Sequence, residues 1–338
     1  MKTIILEQPE QFRLVETASP AAPKVGEALV KVHRVGICGT DLHAFRGRQP
    51  FFTYPRILGH ELGVEILALG SPSENLRVGD KCSVEPYLNC GDCIACRRGK
   101  GNCCAKLQVL GVHSDGGMRE QFVVPQSKLH RSDTLSFDQL ALVETLGIGA
   151  HAVSRAQIEA GEWTLIIGAG PIGLSVIQFA LEAKAQVIVL DVNENRLAFC
   201  RERLGAQYTI LAGESALSDI EQLTNGDLPT VVFDATGNVN SMQNAFQFVA
   251  PGGKLVFVGL VQADVTFNDP FFHRREITLF ASRNATSADF GRIIALMESG
   301  ATDTSPWITH RAGFDNLIGE FPGWLDPSRG VIKAMLEI

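Results

Sequence analysis

The stretch Trp163-Thr-Leu-Ile-Ile-Gly-Ala-Gly-Pro-Ile-Gly173 joins an apolar strand to a glycine turn and then to an apolar helix. In such a turn the first glycine allows a tight bend, the second lets a pyrophosphate approach the backbone, and the third lets the helix pack closely on the strand. The pattern predicts a dinucleotide site in a Rossmann domain. The predicted cofactor contacts in this turn are Gly168, Gly170, Pro171, Ile172 and Gly173.

A second predicted strand, 186–190, runs directly into the carboxylate of Asp191. An acidic side chain at this place accepts hydrogen bonds from the ribose hydroxyls of the adenosine half of the cofactor. The same carboxylate would repel a 2′-phosphate, so the sequence favours NAD over NADP. Arg196 on the next predicted helix keeps NADP open as an alternative.

Strands and helices alternate from Trp163 onward, which predicts a parallel sheet with helices on both faces. Strands are predicted at 165–167, 187–190, 231–233 and 254–259, with helices after Gly173 and from Asn195. The part before residue 148 is β-rich, with short strands at 28–33, 64–69 and 120–124 between Gly and Pro turns. The fold class is therefore α/β, a doubly wound parallel sheet joined to a β-rich domain.

The C-terminal part, from about residue 285, holds a helix-like segment at 290–297 and a strand candidate at 330–338. It is expected to return to the first domain. The predicted domains are therefore 1–147 and 148–284, with 285–338 completing the first.

The chain has 338 residues and a formal net charge of −7. This length suggests about two domains, and the charge provides no basic field for nucleic acid. No apolar run reaches the roughly 20 residues that span a bilayer, so we expect no membrane insertion. The chain starts Met-Lys-Thr without a long apolar signal segment, and five of its eight cysteines lie between residues 90 and 104. We therefore expect a reducing, cytoplasmic setting rather than a disulfide framework.

Cys90, Cys93 and Cys96 recur at every third residue, and a further thiol follows at Cys104. Four thiols in one loop can enclose a tetrahedral ion, and a site without an open position is structural. Cys103 makes the fourth ligand ambiguous by one position, and we predict Cys104.

A second group of metal-binding side chains lies earlier in the chain. Cys38 is followed by Thr40 and His43, and His60 and Glu61 come within the next 20 residues. Catalytic zinc sites use three protein ligands and leave a fourth position for water or substrate. This group therefore predicts a catalytic zinc site.

Together these motifs resemble the zinc-containing medium-chain alcohol and polyol dehydrogenases, and they come in that family's order along essentially the whole chain. The resemblance implies a GroES-like β domain that carries both zinc sites, a Rossmann domain for NAD, and hydride transfer from an alcohol. It also implies a homodimer or homotetramer.

Within that family Glu144 stands where many simple alcohol dehydrogenases have a cysteine ligand, as in polyol and sugar dehydrogenases. Thr145 replaces the proline that usually follows. Whether Glu61 binds zinc directly or through water stays open. The resemblance assigns the proton relay to Thr40 and His43. Asp41 is expected to orient His60, with a turn-forming role as the alternative.

The resemblance is strongest to bacterial sugar-acid dehydrogenases of the L-galactonate 5-dehydrogenase type. It rests on the segments 51–56, 111–117 and 282–286. The implied substrate is an aldonate, whose carboxylate needs a cation and hydrogen-bond donors. The candidate substrate contacts are Phe51, His113, Arg283 and Asn284. Further cofactor contacts are expected at Thr236, Gly259, Ser282, Arg283 and Asn284.

Two alternatives stay open. A polyol dehydrogenase of the sorbitol or galactitol kind, or an L-threonine dehydrogenase, would use the same zinc chemistry. A catalytically silent nucleotide-binding protein would keep the fold, but it predicts a broken ligand or relay set. Every position of that set is filled here.

Overall fold

A computed structural model describes residues 1–50 and 52–338. Phe51, one of the predicted substrate contacts, lies outside the described residues. The chain divides into two compact units: unit 1 comprises Met1–Thr145 and Thr286–Ile338, and unit 2 comprises Leu146–Ala285. The sequence-based boundaries at 147/148 and 284/285 lie within two residues of these divisions.

Unit 1 is built mainly from antiparallel strands. They are β1 (Lys2–Gln8), β2 (Gln11–Glu16), β3 (Glu27–Ile37), β4 (Glu61–Leu69), β5 (Lys81–Val84), β6 (Tyr87–Leu88), β7 (Gln108–Val109), β8 (Gln121–Pro125), β9 (Leu129–Arg131), β16 (Ile308–Gly313) and β17 (Lys333–Glu337). One sheet has the order β16-β17-β3-β4-β5-β9, with β8 also paired to β3. β16 and β17 are parallel, while β17, β4 and β8 all run antiparallel to β3. The last strand therefore lies beside the first long strand of the unit.

Strand β3 shows why this sheet forms. Ala28, Val30 and Val32 are fully buried, whereas Lys31 is exposed. Such alternation places apolar side chains on one face of a strand. Strand β4 begins at Glu61, three residues before the predicted start at 64, so a candidate metal ligand is the first residue of a buried strand.

The helices of unit 1 are α1 (Gly39–Phe45), α2 (Ile94–Arg97), α9 (Ser287–Glu298) and α10 (Leu317–Glu320), while α3 (Phe137–Ala156) begins in unit 1 and ends in unit 2. The division between the units falls inside α3. The sequence analysis did not predict this helix. Helix α9 begins three residues before the predicted 290. Its start is set by a capping box in which Thr286 and Asp289 bond to each other's backbone N–H groups.

An ion-pair cluster ties the first turn of α3 to the sheet. Asp138 accepts hydrogen bonds from Arg34 at 2.7 Å and from Arg311 at 2.5 Å. Arg311 also donates to Glu337 at 2.9 Å. The cluster thus joins β3, α3, β16 and β17.

Unit 2 has the strands β10 (Trp163–Ile167), β11 (Gln186–Asp191), β12 (Tyr208–Leu211), β13 (Val231–Asp234), β14 (Lys254–Phe257) and β15 (Thr278–Ala281). Its helices are α4 (Pro171–Glu182), α5 (Glu194–Leu204), α6 (Ala216–Leu223), α7 (Val239–Asn244) and α8 (Asp269–Arg274). The strand order is β12-β11-β10-β13-β14-β15, and all neighbours are parallel. This is the Rossmann order, so the predicted α/β class is confirmed.

Two predicted boundaries in unit 2 were wrong by a turn or less. Helix α4 begins at Pro171, before the third glycine, because proline is favoured at the first helical position. Strand β14 ends at Phe257, two residues before the predicted end at Gly259. None of the helices in the described part of the chain combines the length and the hydropathy that a bilayer span requires.

Candidate metal and cofactor sites

Four cysteine thiols come together in the loop between β6 and β7. The Sγ atoms of Cys90, Cys93, Cys96 and Cys104 lie within 4.8 Å of one another. The Sγ–Sγ distance is 3.4 Å from Cys104 to Cys90, 3.5 Å from Cys93 to Cys96 and 4.0 Å from Cys90 to Cys96. A tetrahedral zinc with Zn–S bonds of about 2.3 Å separates its sulfur ligands by roughly 3.8 Å. The four thiols therefore fit a closed zinc site, while Cys103 is exposed and outside the group.

Hydrogen bonds in this loop shift the pKa values of the thiols. The backbone N–H of Cys90 donates to Cys104 Sγ at 3.3 Å and lowers the pKa of Cys104. Backbone hydrogen bonds, above all from Cys96, lower the pKa of Cys93 to about 6. Asp92 instead raises the pKa of Cys90 to about 12. Since the thiolate is the metal-binding form, the charge of a bound cation would complete the ionisation of this set.

The second group joins two segments that pair in the sheet. Cys38 caps the N-terminus of α1 directly after β3, and His60 and Glu61 stand at the start of β4. The ligand atoms of these three residues lie within 4.8 Å of one another. His60 and Glu61 are buried, whereas Cys38 is partly exposed. A thiolate, an imidazole and a carboxylate suit Zn²⁺ and leave a position open for a further ligand.

Asp41 fixes both of these segments. Its carboxylate is fully buried and accepts the backbone N–H of Cys38 at 2.9 Å and that of Gly59 at 3.4 Å. It also lies 3.8 Å from Nδ1 of His60, a buried atom without a hydrogen-bond partner among the described residues. An imidazole that binds metal commonly directs its other nitrogen to a carboxylate. The geometry supports the expectation that Asp41 orients His60.

The electrostatics at His60 favour a cation. Burial alone would lower the pKa of His60, but the negative charges of Asp41 and Cys38 outweigh burial and raise it well above its ordinary value. Burial in turn raises the pKa of Asp41. A metal-binding imidazole is neutral, so a bound Zn²⁺ would take the place of this proton and face the same negative charges.

Lys333 on β17 belongs to the same cluster. Its Nζ donates to both carboxylate oxygens of Glu61, at 2.7 and 2.8 Å, and contacts Ile37 O and Thr145 Oγ1 at 3.3 Å each. Both charged side chains are only 1% exposed. Burial alone would lower the pKa of Lys333, but the negative charges of Glu61 and Cys38 together outweigh burial and hold it above its ordinary value. Glu61 therefore has a buried ammonium as its counter-charge, in addition to any metal.

Glu144 lies in the middle of α3 and is 4% exposed. It stands outside the compact group of Cys38, His60 and Glu61. Its Oε1 accepts a short hydrogen bond from the Tyr87 hydroxyl. Burial raises the pKa of Glu144, and burial together with Glu144 raises the pKa of Tyr87 well above its ordinary value. The phenol therefore stays protonated and donates to Glu144.

Thr40 and His43 both lie on α1. Three residues apart, they share one face of the helix. Burial, followed by the charges of Arg46 and Arg48, lowers the pKa of His43. The imidazole is therefore neutral at pH 7 and can accept a proton.

The three glycines of the turn between β10 and α4 differ in what a side chain would meet there. Gly168 has a φ of 98°, which favours glycine. A Cβ on Gly173 would lie 1.7 Å from Gly168 O, so only glycine fits there. Around Gly170, by contrast, the nearest atom to a Cβ would be Arg196 Nη1 at 3.9 Å, which leaves the backbone open to a ligand. These requirements support the predicted pyrophosphate site.

Asp191 is the last residue of β11 and is 7% exposed. Its two carboxylate oxygens accept the backbone N–H groups of Ala169 at 2.6 Å and Asn193 at 2.8 Å. Each oxygen keeps a further lone pair for a ribose hydroxyl. Asp191 therefore also supports the glycine turn, a role that the sequence reading did not predict.

The remaining predicted cofactor residues follow three other parallel strands at their carboxyl ends. Thr236 comes after β13, and its N–H and Oγ1 donate to Asp234 at 3.0 and 2.7 Å. Gly259 comes after β14, and a Cβ there would lie 2.4 Å from Gly237 N. The predicted contacts after β15 are Ser282, Arg283 and Asn284. Ligands in this fold bind at the carboxyl ends of the strands.

Two of the residues after β15 carry buried polar atoms that are available to a ligand. The Oγ of Ser282 and the Nδ2 of Asn284 are buried and have no hydrogen-bond partner within the described ranges 1–50 and 52–338. Buried polar atoms are almost always hydrogen-bonded. Arg283, between them, is exposed. The pair is therefore suited to polar contacts with a cofactor.

His113 has a local partner, since its Nδ1 accepts the backbone N–H of Val109 at 3.1 Å. His33 contacts Glu65 at 3.0 Å, and His130 contacts Glu85 at 3.2 Å. These contacts give His33 and His130 carboxylate partners within unit 1. The assignment of His113 as a substrate contact stays a prediction.

Sequence reasoning missed Tyr87 and Lys333. A signal for Lys333 was present, because it interrupts the apolar run Val331-Ile332-Lys333-Ala334-Met335-Leu336. A lysine within a buried strand needs a charged partner. Tyr87 gave no comparable signal, because a tyrosine in a short strand is ordinary.

Comparisons with known proteins show the family to which the chain belongs. A family model described as "Zinc-binding dehydrogenase" matches residues 171–299, and one described as "Alcohol dehydrogenase GroES-like domain" matches residues 24–134. The L-galactonate-5-dehydrogenase of Escherichia coli K12 is 40% identical, over 99% of this chain and 98% of that protein. The sorbitol dehydrogenase of Bacillus subtilis is 34% identical, over 99% and 97% of the two chains.

A solved structure of the alcohol dehydrogenase RspB from Escherichia coli CFT073, in complex with NADH, superposes with a TM-score of 0.93. It is 31% identical and covers 100% of this chain and 99% of the other. The first family model runs from α4 through α9, and the second covers β3 to β9 of unit 1. The chain therefore belongs to the zinc-containing medium-chain alcohol and polyol dehydrogenases.

Proposed function

We propose that this dehydrogenase oxidises a secondary hydroxyl of a sugar acid, an aldonate such as L-galactonate, and transfers the hydride to NAD. The observation that carries the proposal is the 40% identity to L-galactonate-5-dehydrogenase over nearly the whole length of both chains. A complete group of candidate zinc ligands accompanies it. The identity supports the substrate class, and the ligand group supports the reaction.

In this proposal Cys38, His60 and Glu61 hold the catalytic zinc, with Glu144 as a neighbouring carboxylate. When bound, zinc acts as a Lewis acid that polarises the substrate oxygen and lowers the pKa of its hydroxyl. Asp41 keeps the Cys38 backbone and the His60 ring in place through the contacts described above. Cys90, Cys93, Cys96 and Cys104 hold the structural zinc.

The substrate proton leaves through Thr40 and His43 on α1. The hydroxyl of Thr40 can both donate and accept, which lets it pass a proton to an imidazole. His43 takes the proton because its lowered pKa keeps it neutral at pH 7. Its exposed position then lets it release the proton to water.

NAD is held by the glycine turn and by Asp191, which accepts the ribose hydroxyls. The NADH in the related RspB structure supports this cofactor. Ser282 and Asn284 supply buried polar atoms for the cofactor or the substrate. Arg283 is the cation for the substrate carboxylate, and its guanidinium can bind both carboxylate oxygens at once.

An uncharged polyol is the second candidate substrate, because the B. subtilis sorbitol dehydrogenase is also related over nearly its whole length. A polyol has no carboxylate and needs no cation from the protein. The two candidate substrates therefore differ in the charge of one end of the molecule. L-Galactonate and galactitol form a matched pair that differs only in the carboxylate.

We also propose a homodimer or homotetramer in the cytoplasm. Strand β15 is the last strand of the parallel sheet, and Leu279 on it is 39% exposed. Leu260 and Phe267, also in unit 2, are 71% and 44% exposed. Exposed apolar side chains of this size suit a subunit interface, and light scattering of the purified protein tests this. The eight cysteines, all among the described residues, form no disulfide, which suits a reducing compartment.

The test of function is NADH formation by zinc-loaded enzyme with aldonates including L-galactonate, with hexitols including galactitol, with simple alcohols and with L-threonine. Each substrate is repeated with NADP. Faster turnover of L-galactonate than of galactitol supports the aldonate proposal. Turnover confined to uncharged polyols refutes it and keeps the zinc chemistry.

Arg283→Met separates two roles of that arginine. A higher KM for L-galactonate, with the KM for galactitol and for NAD unchanged, supports contact with the substrate carboxylate. Equal increases for both substrates together with NAD would assign Arg283 to the cofactor instead. No turnover of any compound in the panel would favour the silent nucleotide-binding protein.

A further inference from the structure

A chain of polar contacts leads from the four-cysteine loop into the core of unit 1. The amide nitrogen of Asn89 donates to Cys96 Sγ at 3.6 Å. The amide oxygen of Asn89 accepts a hydrogen bond from Lys128 Nζ at 3.0 Å. Lys128 also donates to Oε1 of Glu85. One asparagine therefore connects a metal-binding thiol with a buried ion pair.

The Glu85–Lys128 ion pair is buried, and further hydrogen bonds to Glu85 fix its position. Glu85 is 4% exposed and Lys128 is 9% exposed. The second carboxylate oxygen of Glu85 contacts His130 Nε2 at 3.2 Å and accepts a hydrogen bond from Ser287. Burial alone would raise the pKa of Glu85, but these partners hold it below its usual range. Glu85 therefore remains charged and keeps the Lys128 ammonium in one place.

The direction of the hydrogen bonds suits a thiolate, because Lys128 donates to Asn89 and Asn89 donates to the sulfur of Cys96. Four thiolates around one Zn²⁺ leave a net charge of about −2, and N–H donors to sulfur disperse that charge. The Lys128 ammonium polarises the Asn89 amide, which strengthens its N–H as a donor to Cys96. An exposed lysine in the loop would be screened by water, whereas Lys128 acts in a medium of low dielectric.

We propose that Asn89 and Lys128 form a positioning relay for the structural metal, which orients the Cys96 thiolate and stabilises its charge, with Glu85 holding the relay in place. The relay acts on retention of the metal and is independent of the substrate and of hydride transfer. Groups that hydrogen-bond to metal ligands typically change metal affinity by about 10- to 100-fold when they are removed.

The test follows loss of metal from the whole protein. The enzyme is loaded with Co²⁺, which accepts the same kinds of ligand as Zn²⁺, and the thiolate-to-cobalt absorbance is recorded after addition of excess EDTA. This absorbance reports mainly on the four-cysteine loop, because that loop offers four thiolates and the other site only Cys38. The variants are Asn89→Ala, Lys128→Met and their combination.

Lys106→Met is the matched control, because it removes the same charge from an exposed side chain beside the same loop. Asn89→Ala keeps the Glu85–Lys128 pair and so tests the relay even if Lys128→Met fails to fold. We expect cobalt loss about tenfold faster in Asn89→Ala and in Lys128→Met, and within about twofold of the unaltered protein in Lys106→Met. The combined variant is expected to lose cobalt no faster than the faster single variant.

Two results would overturn the proposal. The first is an Asn89→Ala rate equal to that of Lys106→Met, which would remove Asn89 from metal retention. The second is a multiplicative effect in the combined variant, because independent contributions are not a relay.

Discussion

We expect removal of the Lys333 ammonium to lower the free energy of unfolding, because it leaves the buried Glu61 carboxylate without its counter-charge. In Lys333→Met the carboxylate of Glu61, which is 1% exposed in the unaltered protein, loses the Nζ donor that lies 2.7 and 2.8 Å from its two oxygens. Breaking a buried ion pair from one side costs about 3–5 kcal/mol. For a unit of about 200 residues that corresponds to a fall of about 6–20 °C in the unfolding midpoint.

Thermal unfolding followed by circular dichroism measures this fall. Lys31→Met on the exposed face of β3 is the control, and it is expected to stay within about 0.5 kcal/mol of the unaltered protein. The double variant Lys333→Met with Glu61→Gln removes both charges and is expected to recover much of the lost midpoint. Equal midpoints for the single and double variants would refute the reasoning, because the loss would then come from packing alone.

Zinc titration extends this experiment. A metal near Glu61 can replace the ammonium as its counter-charge, so added zinc is expected to raise the midpoint of Lys333→Met more than that of the unaltered protein. An equal increase in both proteins would indicate that Glu61 does not gain from the metal.

Three further predictions concern other parts of the molecule. Cys38→Ser is expected to abolish NADH formation with an unchanged circular dichroism spectrum, whereas Cys93→Ser is expected mainly to lower the unfolding midpoint; equal loss of folding would contradict the division into catalytic and structural sites. Asp191→Ala is expected to raise the Kd for NAD more than that for NADP in fluorescence titrations, and an unchanged ratio would argue against its ribose contact. Partial burial would raise the pKa of Asp138, but its two arginine partners hold it below its usual range. The carboxylate therefore stabilises the fold above its unfolded pKa of about 3.9, and this contribution is lost as pH falls through the folded pKa. Asp138→Asn should accordingly lower the midpoint at pH 7 more than at pH 3, and an equal difference at both would refute the ion-pair account.

The features predicted from the sequence are those whose residues lie close together along the chain. The glycine turn, the spacing of Cys90, Cys93 and Cys96, and the alternation of strands and helices can each be read within a short window, because backbone geometry fixes them locally. The family resemblance was confirmed by the comparisons. The predicted ligand and cofactor residues remain assignments that the experiments above test.

The features that escaped prediction join distant parts of the chain. Glu61 and Lys333 are 272 residues apart, and Tyr87 and Glu144 are 57 apart. Composition and periodicity carry no information on such pairs, because only tertiary packing brings them together. Helix α3 escaped because its 20 residues are apolar on most sides and lack the strong periodicity of a surface helix.

The place of β17 in the sheet has a consequence for synthesis of the chain. Lys333 follows Ile37, which it contacts, by 296 residues. At ribosomal rates of about 5–20 residues per second it appears roughly 15–60 s later. Unit 2 is continuous and can close its sheet within that time. Until then the Arg34–Ile37 part of β3 has no β17 beside it and Glu61 has no ammonium, so newly made unit 1 carries an unpaired strand edge of the kind that favours wrong pairing.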